Sequence, residues 1–200
     1  MRFILLVLLA LPSIVVAQPY ELSYDKDDMP ELYNNISVYV SDQSDATSTT
    51  KGVLYYQGRI VKRNNLHFEK KDLYAAEGKL PFTLKTGGKE IPLTLELPIL
   101  DDIRFNLYTD SIKPVLNYYL NIEGIFTNGR IFPLDTSLIS VSCSAGAMDG
   151  FTWLKPETIN FDKVTFTAIC KYNPAIAQHL TIYIQRATDP RDEPDYEDQD

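Results

Sequence analysis

Apolar residues alternate with polar ones over most of this chain, from Ile36 to Ile184. In the run from Ile91 to Ile99, for example, every second residue is Ile or Leu. A period of two places such side chains on one face of a β-strand, whereas an amphipathic helix needs a period near 3.6. We count roughly nine or ten runs of this kind and no convincing amphipathic helix. The pattern predicts an all-β fold, either an antiparallel sandwich or a barrel.

Two turn signals predict how strands pair in the middle of the chain. Gly87-Gly88 stands between two alternating runs, and Asn128-Gly129 stands between two more. Both dipeptides are typical of tight hairpins, in which the central residues need positive φ. Pro92 and Pro98 lack the N–H that a ladder requires, so the strand after Gly88 is expected at a sheet edge or bent.

Two segments before these hairpins are harder to assign. Val53 to Val61 is predicted to be one strand, with Gly58 as a bulge. Residues 62–79 are rich in Lys, Glu and Asp, and EKKDLYAAEG is compatible with one or two helical turns. A charged edge strand followed by a loop is the alternative.

The first seventeen residues have the pattern of a secretory signal peptide. Arg2 precedes an apolar run from Phe3 to Leu11, and small residues at Val15 and Ala17 suit a signal peptidase. The run is too short to span a bilayer of about 30 Å, and no later run is longer. We therefore expect a secreted, extracellular protein that begins at Gln18 and has no membrane span.

Composition divides the remainder into three parts. Residues 18–34 are polar and acidic without a clear period, which predicts an N-terminal arm, and residues 35–188 are predicted to form a single β domain. Residues 189–200 contain one Arg and seven acids, a net charge of -6, and are predicted to be a disordered tail. The tail acids are Asp189, Asp192, Glu193, Asp195, Glu197, Asp198 and Asp200.

The chain has two cysteines, Cys143 and Cys170, each within an alternating apolar run. Both side chains are therefore expected to point toward the core from separate strands. Disulfides form and persist in the secretory compartment. The sequence predicts a buried Cys143–Cys170 disulfide, which would stabilise the fold by roughly 3 kcal/mol in the chain-entropy model.

Two further residues are candidate modification sites in a secreted chain. Asn35 begins the triplet Asn-Ile-Ser, which is an acceptor for N-glycosylation. Tyr196 lies between acids on both sides, in DEPDYEDQD, which is the setting of sulfated tyrosines. An unmodified, solubilising tail is the alternative for Tyr196.

No catalytic, cofactor-binding or metal-binding residue is predicted. The sequence lacks the nucleophile elbow, zinc, EF-hand, P-loop and dinucleotide motifs. Asp101-Asp102 is the most suggestive carboxylate pair for a secreted hydrolase, but adjacent strand residues face opposite ways, so the pair is expected to begin a turn. His67 and His179 are interpreted as structural residues. A solvated acidic arm explains Asp25, Asp27 and Asp28 without calcium.

The charge of the chain narrows the class of partner. A net charge of -8 argues against nucleic acid as the main partner, because phosphate binding needs a basic surface. We predict a non-enzymatic β-sandwich interaction protein whose acidic tail is directed at a basic or extracellular partner. The alternatives are a carrier of an apolar small molecule inside a barrel, lined by Leu93 to Ile99 and Leu116 to Ile122, and a matrix- or mineral-associated protein.

Overall fold

A computed structural model describes residues 19–43, 52–113 and 116–185 of the chain. These residues form an all-β fold of several sheets, with one short α-helix, α1 (Lys70–Ala75), and one 3-10 turn at Lys26–Asp28. The strands of the first part are β1 (Tyr20–Tyr24), β2 (Asn35–Asp42), β3 (Val53–Tyr56), β4 (Arg59–Ile60), β5 (Asn65–His67), β6 (Lys79–Thr86) and β7 (Lys89–Glu96). Those of the second part are β8 (Leu100–Phe105), β9 (Ser111–Ile112), β10 (Tyr118–Tyr119), β11 (Ile122–Phe126), β12 (Ile131–Pro133), β13 (Ile139–Cys143), β14 (Ala147–Asp149), β15 (Thr152–Leu154), β16 (Lys163–Cys170) and β17 (Ala177–Ile184).

The N-terminal half, residues 19–97, packs two antiparallel sheets face to face. One sheet has the order β1-β2-β5 and the other the order β4-β3-β6-β7. Alternate residues of both sheets enter a shared buried cluster, for example Ile36 and Val38 from β2 and Phe82 and Leu84 from β6. This two-layer packing is the arrangement of a β-sandwich.

The C-terminal half, residues 98–185, contains three sheets around a second buried cluster. Their orders are β12-β11-β8, β10-β15-β14 and β13-β16-β17-β9. Trp153 is fully buried in this cluster and meets Phe166 edge-on at 6.3 Å between ring centroids. All strand pairs are antiparallel except β17 with β9, which run parallel.

The two halves meet at a junction to which α1 contributes. Tyr74 of α1 is buried in the second cluster, and its ring lies 5.6 Å from that of Tyr172. The Tyr74 hydroxyl accepts a hydrogen bond from the Leu100 N–H at 3.0 Å. Burial raises the pKa of Tyr74. An aromatic side chain of one half thus completes the core of the other.

The same junction contains Glu31. Among the described residues, Glu31 is the one charged residue that is buried. Its Oε1 accepts a hydrogen bond from Asn128 Nδ2 at 2.6 Å and lies 3.5 Å from Arg130 Nη1. Lys70 donates to the backbone carbonyls of Pro30 and Glu31. Burial lowers the pKa of Lys70 to about 8, against the opposing effect of the Glu31 carboxylate.

Turns are present at both predicted hairpins, and Gly58 lies in a turn at the position predicted to be a bulge. Gly87 and Gly88 have φ of 54° and 75° and join β6 to β7, which confirms the predicted hairpin. At the second hairpin Gly129 has positive φ, at 79°, but Asn128 does not, so only one of the two central residues has the predicted conformation. Gly58 is not a bulge within one strand, because Gln57 and Gly58 both have positive φ and form a tight turn between β3 and β4. Residues 62–79 contain both predicted alternatives, since Asn65–His67 form the edge strand β5 and Lys70–Ala75 form α1.

The N-terminal arm expected at residues 18–34 contains ordered strand structure. Residues 20–24 form β1, which pairs with β2 along its whole length. Tyr20, Leu22 and Tyr24 all contact the first buried cluster. Three alternating residues at the start of a polar, acidic stretch were too short a run to indicate a strand without its pairing partner.

The predicted disulfide is wrong, because Cys143 and Cys170 are both free thiols. Both belong to the second cluster and lie on adjacent strands, as the alternation predicts. The register, however, pairs Cys143 with Phe166, four residues from Cys170. At about 3.3 Å per residue the cysteines are roughly 13 Å apart along the ladder. A disulfide needs Cα atoms within about 7 Å.

Within residues 19–43, 52–113 and 116–185, no helix has the length and apolar character needed to cross a membrane.

Candidate functional site: a groove beside a basic ribbon

Residues 59–63, which we call the basic ribbon, form an exposed strip between two tight turns. Gln57-Gly58 makes the first turn, and Arg63 and Asn64, with φ of 52° and 61°, make the second. Lys62 and Asn65 bridge across that second turn. Because paired positive-φ residues give a narrow hairpin, the ribbon is held by backbone geometry at both ends.

Three cations of the basic ribbon have no acidic partner among the described residues. Arg59, Lys62 and Arg63 are exposed, and none forms an ion pair with the described residues of the chain. The hairpin β6–β7 of the same half differs, since Lys85 lies 2.6 Å from Glu90. The ribbon therefore carries a local charge of +3 on a chain whose net charge is -8.

A groove separates the ribbon from β5 and α1. It has a volume of about 470 Å³, and Arg59 and Lys62 on one side oppose Glu69 and Asp72 on the other. Gln57 Nε2 donates to Asp72 Oδ2 at 2.9 Å and thereby closes one end. Because both signs of charge are present, this groove has no preference for an anion.

A second groove, which we call the docking groove, lies between the ribbon and the strands β2 and β3. Its volume is about 560 Å³, and buried Val38, Leu54 and Leu84 are among its lining residues. Lys62 and Arg63 are the charged residues in its lining, which includes no carboxylate among the described residues.

The docking groove also exposes large apolar side chains. Tyr39, Val53 and Ile60 are 45%, 42% and 50% exposed, respectively, and all three line it. Apolar side chains left open to water beside unpaired cations are typical of a binding surface. The arrangement suits a ligand that combines an apolar anchor with negative charge, since Arg63 offers a planar fork and Lys62 a point charge.

The predicted glycosylation residue lies near the first groove, the one between the ribbon and β5, on its β5 side. Asn35 is the first residue of β2 and is exposed, and its Oδ1 lies 3.0 Å from His67 Nδ1. The other ring nitrogen of His67 lies 3.2 Å from Glu69 Oε1. His67 thus has hydrogen-bonding partners for both nitrogens, as expected of a structural histidine.

The candidate carboxylates lie apart from both grooves. Asp101 and Asp102 are exposed within β8, where the register with β11 shifts, instead of at the start of a turn. Asp25 Oδ1 caps the 3-10 turn by accepting from the Asp27 N–H at 3.0 Å, and Asp28 accepts from the Ser37 N–H. In the described part of the chain, no three His, Cys, Asp or Glu side chains are placed to hold a metal ion.

The other predicted site residues do not meet in one place. His179 Nδ1 lies 2.9 Å from Thr167 Oγ1 on the outer face of the β16–β17 pair. Burial raises the pKa of the Cys143 thiol. Residues 1–17, Tyr196 and the seven tail acids lie outside the described residues.

The basic ribbon is the feature that the sequence interpretation missed. Arg59, Lys62 and Arg63 fall within five residues of an acidic chain, which is a visible local signal. The sequence prediction divides these cations between the strand Val53 to Val61 and the stretch 62–79, where nearby Glu and Asp residues offset their charge.

Comparisons with known proteins provide no family. No protein-family model matches the chain, and no curated protein matches it. The chain is similar to a crystal structure of domains 4 and 5 of the S-layer protein SbsC, with 14% identity and a TM-score of 0.30 over 86% of this chain and 98% of that one. A tandem of Ig domains from titin overlaps 78% of this chain and 89% of its own, with 10% identity and a TM-score of 0.27. At TM-scores this low, the overlaps establish neither a shared fold nor a shared function.

Proposed function

We propose that this chain is an extracellular β-sandwich interaction protein whose docking groove binds an acidic, extended segment with an apolar anchor. The observation that carries the proposal is the lining of that groove: exposed apolar side chains, Lys62 and Arg63, and no carboxylate among the described residues. The extracellular location rests on the leader-like residues 1–17.

The acidic tail supplies a second element of the proposal. Residues 189–200 carry a net charge of -6 and are directed at a basic surface of an extracellular partner. Tyr196 is a proposed sulfation site in this tail, and Asn35 a proposed glycosylation site on the body. The mass of the secreted protein, before and after enzymatic removal of N-glycans and sulfate, tests both modifications.

The carrier alternative receives no support from its expected lining residues. Leu93, Leu95 and Leu97 belong to the first buried cluster, whereas Leu120 and Ile122 belong to the second. The two runs therefore do not face one interior. An association with matrix or mineral depends on the tail acids and stays a prediction.

A fluorescent copolymer of Glu and Tyr is a suitable probe for the docking groove. We expect K62Q/R63N to weaken its binding tenfold or more, because the variant removes both cations of the lining. K85Q/K89Q, which removes the same charge from the β6–β7 hairpin of the same half, serves as the matched control. Equal loss in both variants would mean that net charge, and not the groove, binds the probe, and would overturn the proposal.

A further inference from the structure

We propose that the docking groove binds residues 189–200 of a second copy of this chain, with Tyr196 as the anchor. This inference rests on the proposed function, because it names the acidic segment that the groove takes. The contact joins two different surfaces, so it is heterologous and can be repeated from one molecule to the next.

The chemistry of residues 189–200 matches the lining of the groove. The segment has seven carboxylates, and Tyr196 is its single aromatic or large apolar residue. Glu193, Asp195 and Glu197 surround that tyrosine, and Pro194 disfavours a helix there. The sequence of the segment therefore combines many acidic residues with one apolar anchor.

The groove offers a counterpart to each of these features. Exposed Tyr39, Val53 and Ile60 provide the apolar contact for an aromatic ring. Lys62 and Arg63 lie in the same lining, so that carboxylates next to the anchor meet cations. The charges are opposite along both partners, which is the complementarity that sets register and specificity.

The fold places Gln185, the last described residue, far from the groove of its own molecule. Tyr172, just after β16, contacts Tyr74 at the junction of the two halves. β17 starts nearby at Ala177 and runs for eight residues to Ile184, which is roughly 25 Å at about 3.3 Å per residue. The chain thus leaves the described body at the end of the C-terminal half that is remote from the junction.

A return to its own groove is restricted by chain length. Tyr196 follows Gln185 by eleven residues, which span at most about 40 Å when fully extended. Most of that length is needed to pass back along β17, and the groove lies beyond the junction, on the N-terminal half. The groove of a second copy imposes no such restriction, so we assign the contact to a neighbouring molecule.

Sedimentation velocity of the secreted chain over a range of concentrations tests the proposal. We expect the weight-average mass to rise with concentration at low salt and to fall with added salt, because the charges are exposed. K62Q/R63N, and a chain in which the seven tail carboxylates are replaced by amides, should both stay monomeric. K85Q/K89Q should associate like the unmodified chain.

A synthetic peptide of residues 189–200 tests the anchor directly. Its partner is the full chain with the amide tail, so that no tail competes for the groove. We expect Tyr196→Ala in the peptide to weaken binding at least fivefold, and K62Q/R63N in the chain to weaken it tenfold. An unchanged affinity in either variant would overturn the assignment of anchor or groove.

The outcomes separate this inference from the proposed function. If the Glu-Tyr copolymer binds the groove but the chain stays monomeric at all concentrations, the second copy is the wrong occupant and the proposed function stands. If peptide and copolymer both fail to bind, both proposals fail. Replacing the tail carboxylates by amides could change copolymer binding at the groove while the mass of the chain shows no dependence on concentration. In that case the tail binds its own molecule and the second copy is excluded.

Discussion

The junction between the halves and the basic ribbon use charged residues in opposite ways. At the junction Glu31 is buried, and Asn128 and Arg130 of the other half reach its Oε1 at 2.6 and 3.5 Å. On the ribbon Lys62 and Arg63 are exposed, with no carboxylate partner in the described chain. The first arrangement joins two parts of one molecule, and the second leaves charge available to another molecule.

Desolvation explains the difference. A buried carboxylate costs several kcal/mol unless hydrogen bonds and an opposite charge compensate it, so Glu31 requires partners within the fold. An exposed ammonium or guanidinium group remains hydrated and costs little, so the fold places no such demand on the ribbon. Changes at the junction should therefore affect stability, and changes on the ribbon should affect binding.

The largest effect is expected for Asn128→Ala at the junction. The substitution removes the 2.6 Å hydrogen bond to Glu31 and leaves a buried carboxylate with the Arg130 contact alone. Loss of a hydrogen bond to a charged group predicts a decrease of about 2–3 kcal/mol in the free energy of unfolding. Urea denaturation measures it. A decrease no larger than that of a surface variant would remove the contrast between the two regions.

A smaller effect is expected for Tyr74→Phe. The ring stays in the second cluster, but the Leu100 N–H loses its acceptor at 3.0 Å. An unsatisfied buried donor predicts a loss of about 1–2 kcal/mol. Urea unfolding of Y74F against the unmodified chain measures it. No loss would indicate that water replaces the hydroxyl.

The lowered pKa of Lys70, a residue of the junction, predicts that the free energy of unfolding depends on pH. Burial lowers its folded pKa to about 8, below the unfolded value of about 10.4. Between these values the unfolded state binds more protons, so the free energy of unfolding should rise as pH increases from about 8 toward 10. K70M should abolish this rise, whereas K71M, at an exposed neighbour, should keep it. Chemical denaturation between pH 7 and 9.5 provides the comparison.

The smallest effect on stability is expected for K62Q/R63N on the ribbon. Both side chains are exposed and unpaired within the described residues, so the free energy of unfolding should change by no more than about 0.5 kcal/mol. The same variant should lose binding of the acidic probe. A loss of stability near that of Asn128→Ala would show that the ribbon cations support the fold.

Local features of the fold could be predicted from the sequence. Alternation with a period of two predicted the strands, because a strand places alternate residues on one face regardless of the strand with which it pairs. Gly87-Gly88 gave the β6–β7 hairpin, because tight turns require positive φ that glycine adopts without strain. The number of strands was underestimated, since several have two or three residues.

The candidate site could be predicted only in part. The cations of the ribbon are visible in the sequence. That the described residues of the docking groove include no carboxylate depends on which segments form its walls. Those walls come from β2, from β3 with the ribbon that follows it, and from Leu84 of β6, and β2 meets the others only when the two sheets pack. Spacing along the sequence carries no information on that packing.

The sequence by itself determined the periodicity, the tight turns and the distribution of charge, because each depends on residues close together in the chain. The tertiary structure decided the rest. It divided the alternating runs between two buried clusters, with the strand residues up to Leu97 in the first and those from Leu100 onward in the second. It also set the register that keeps Cys143 and Cys170 apart, since two core-facing cysteines on paired strands bond only when they lie opposite each other.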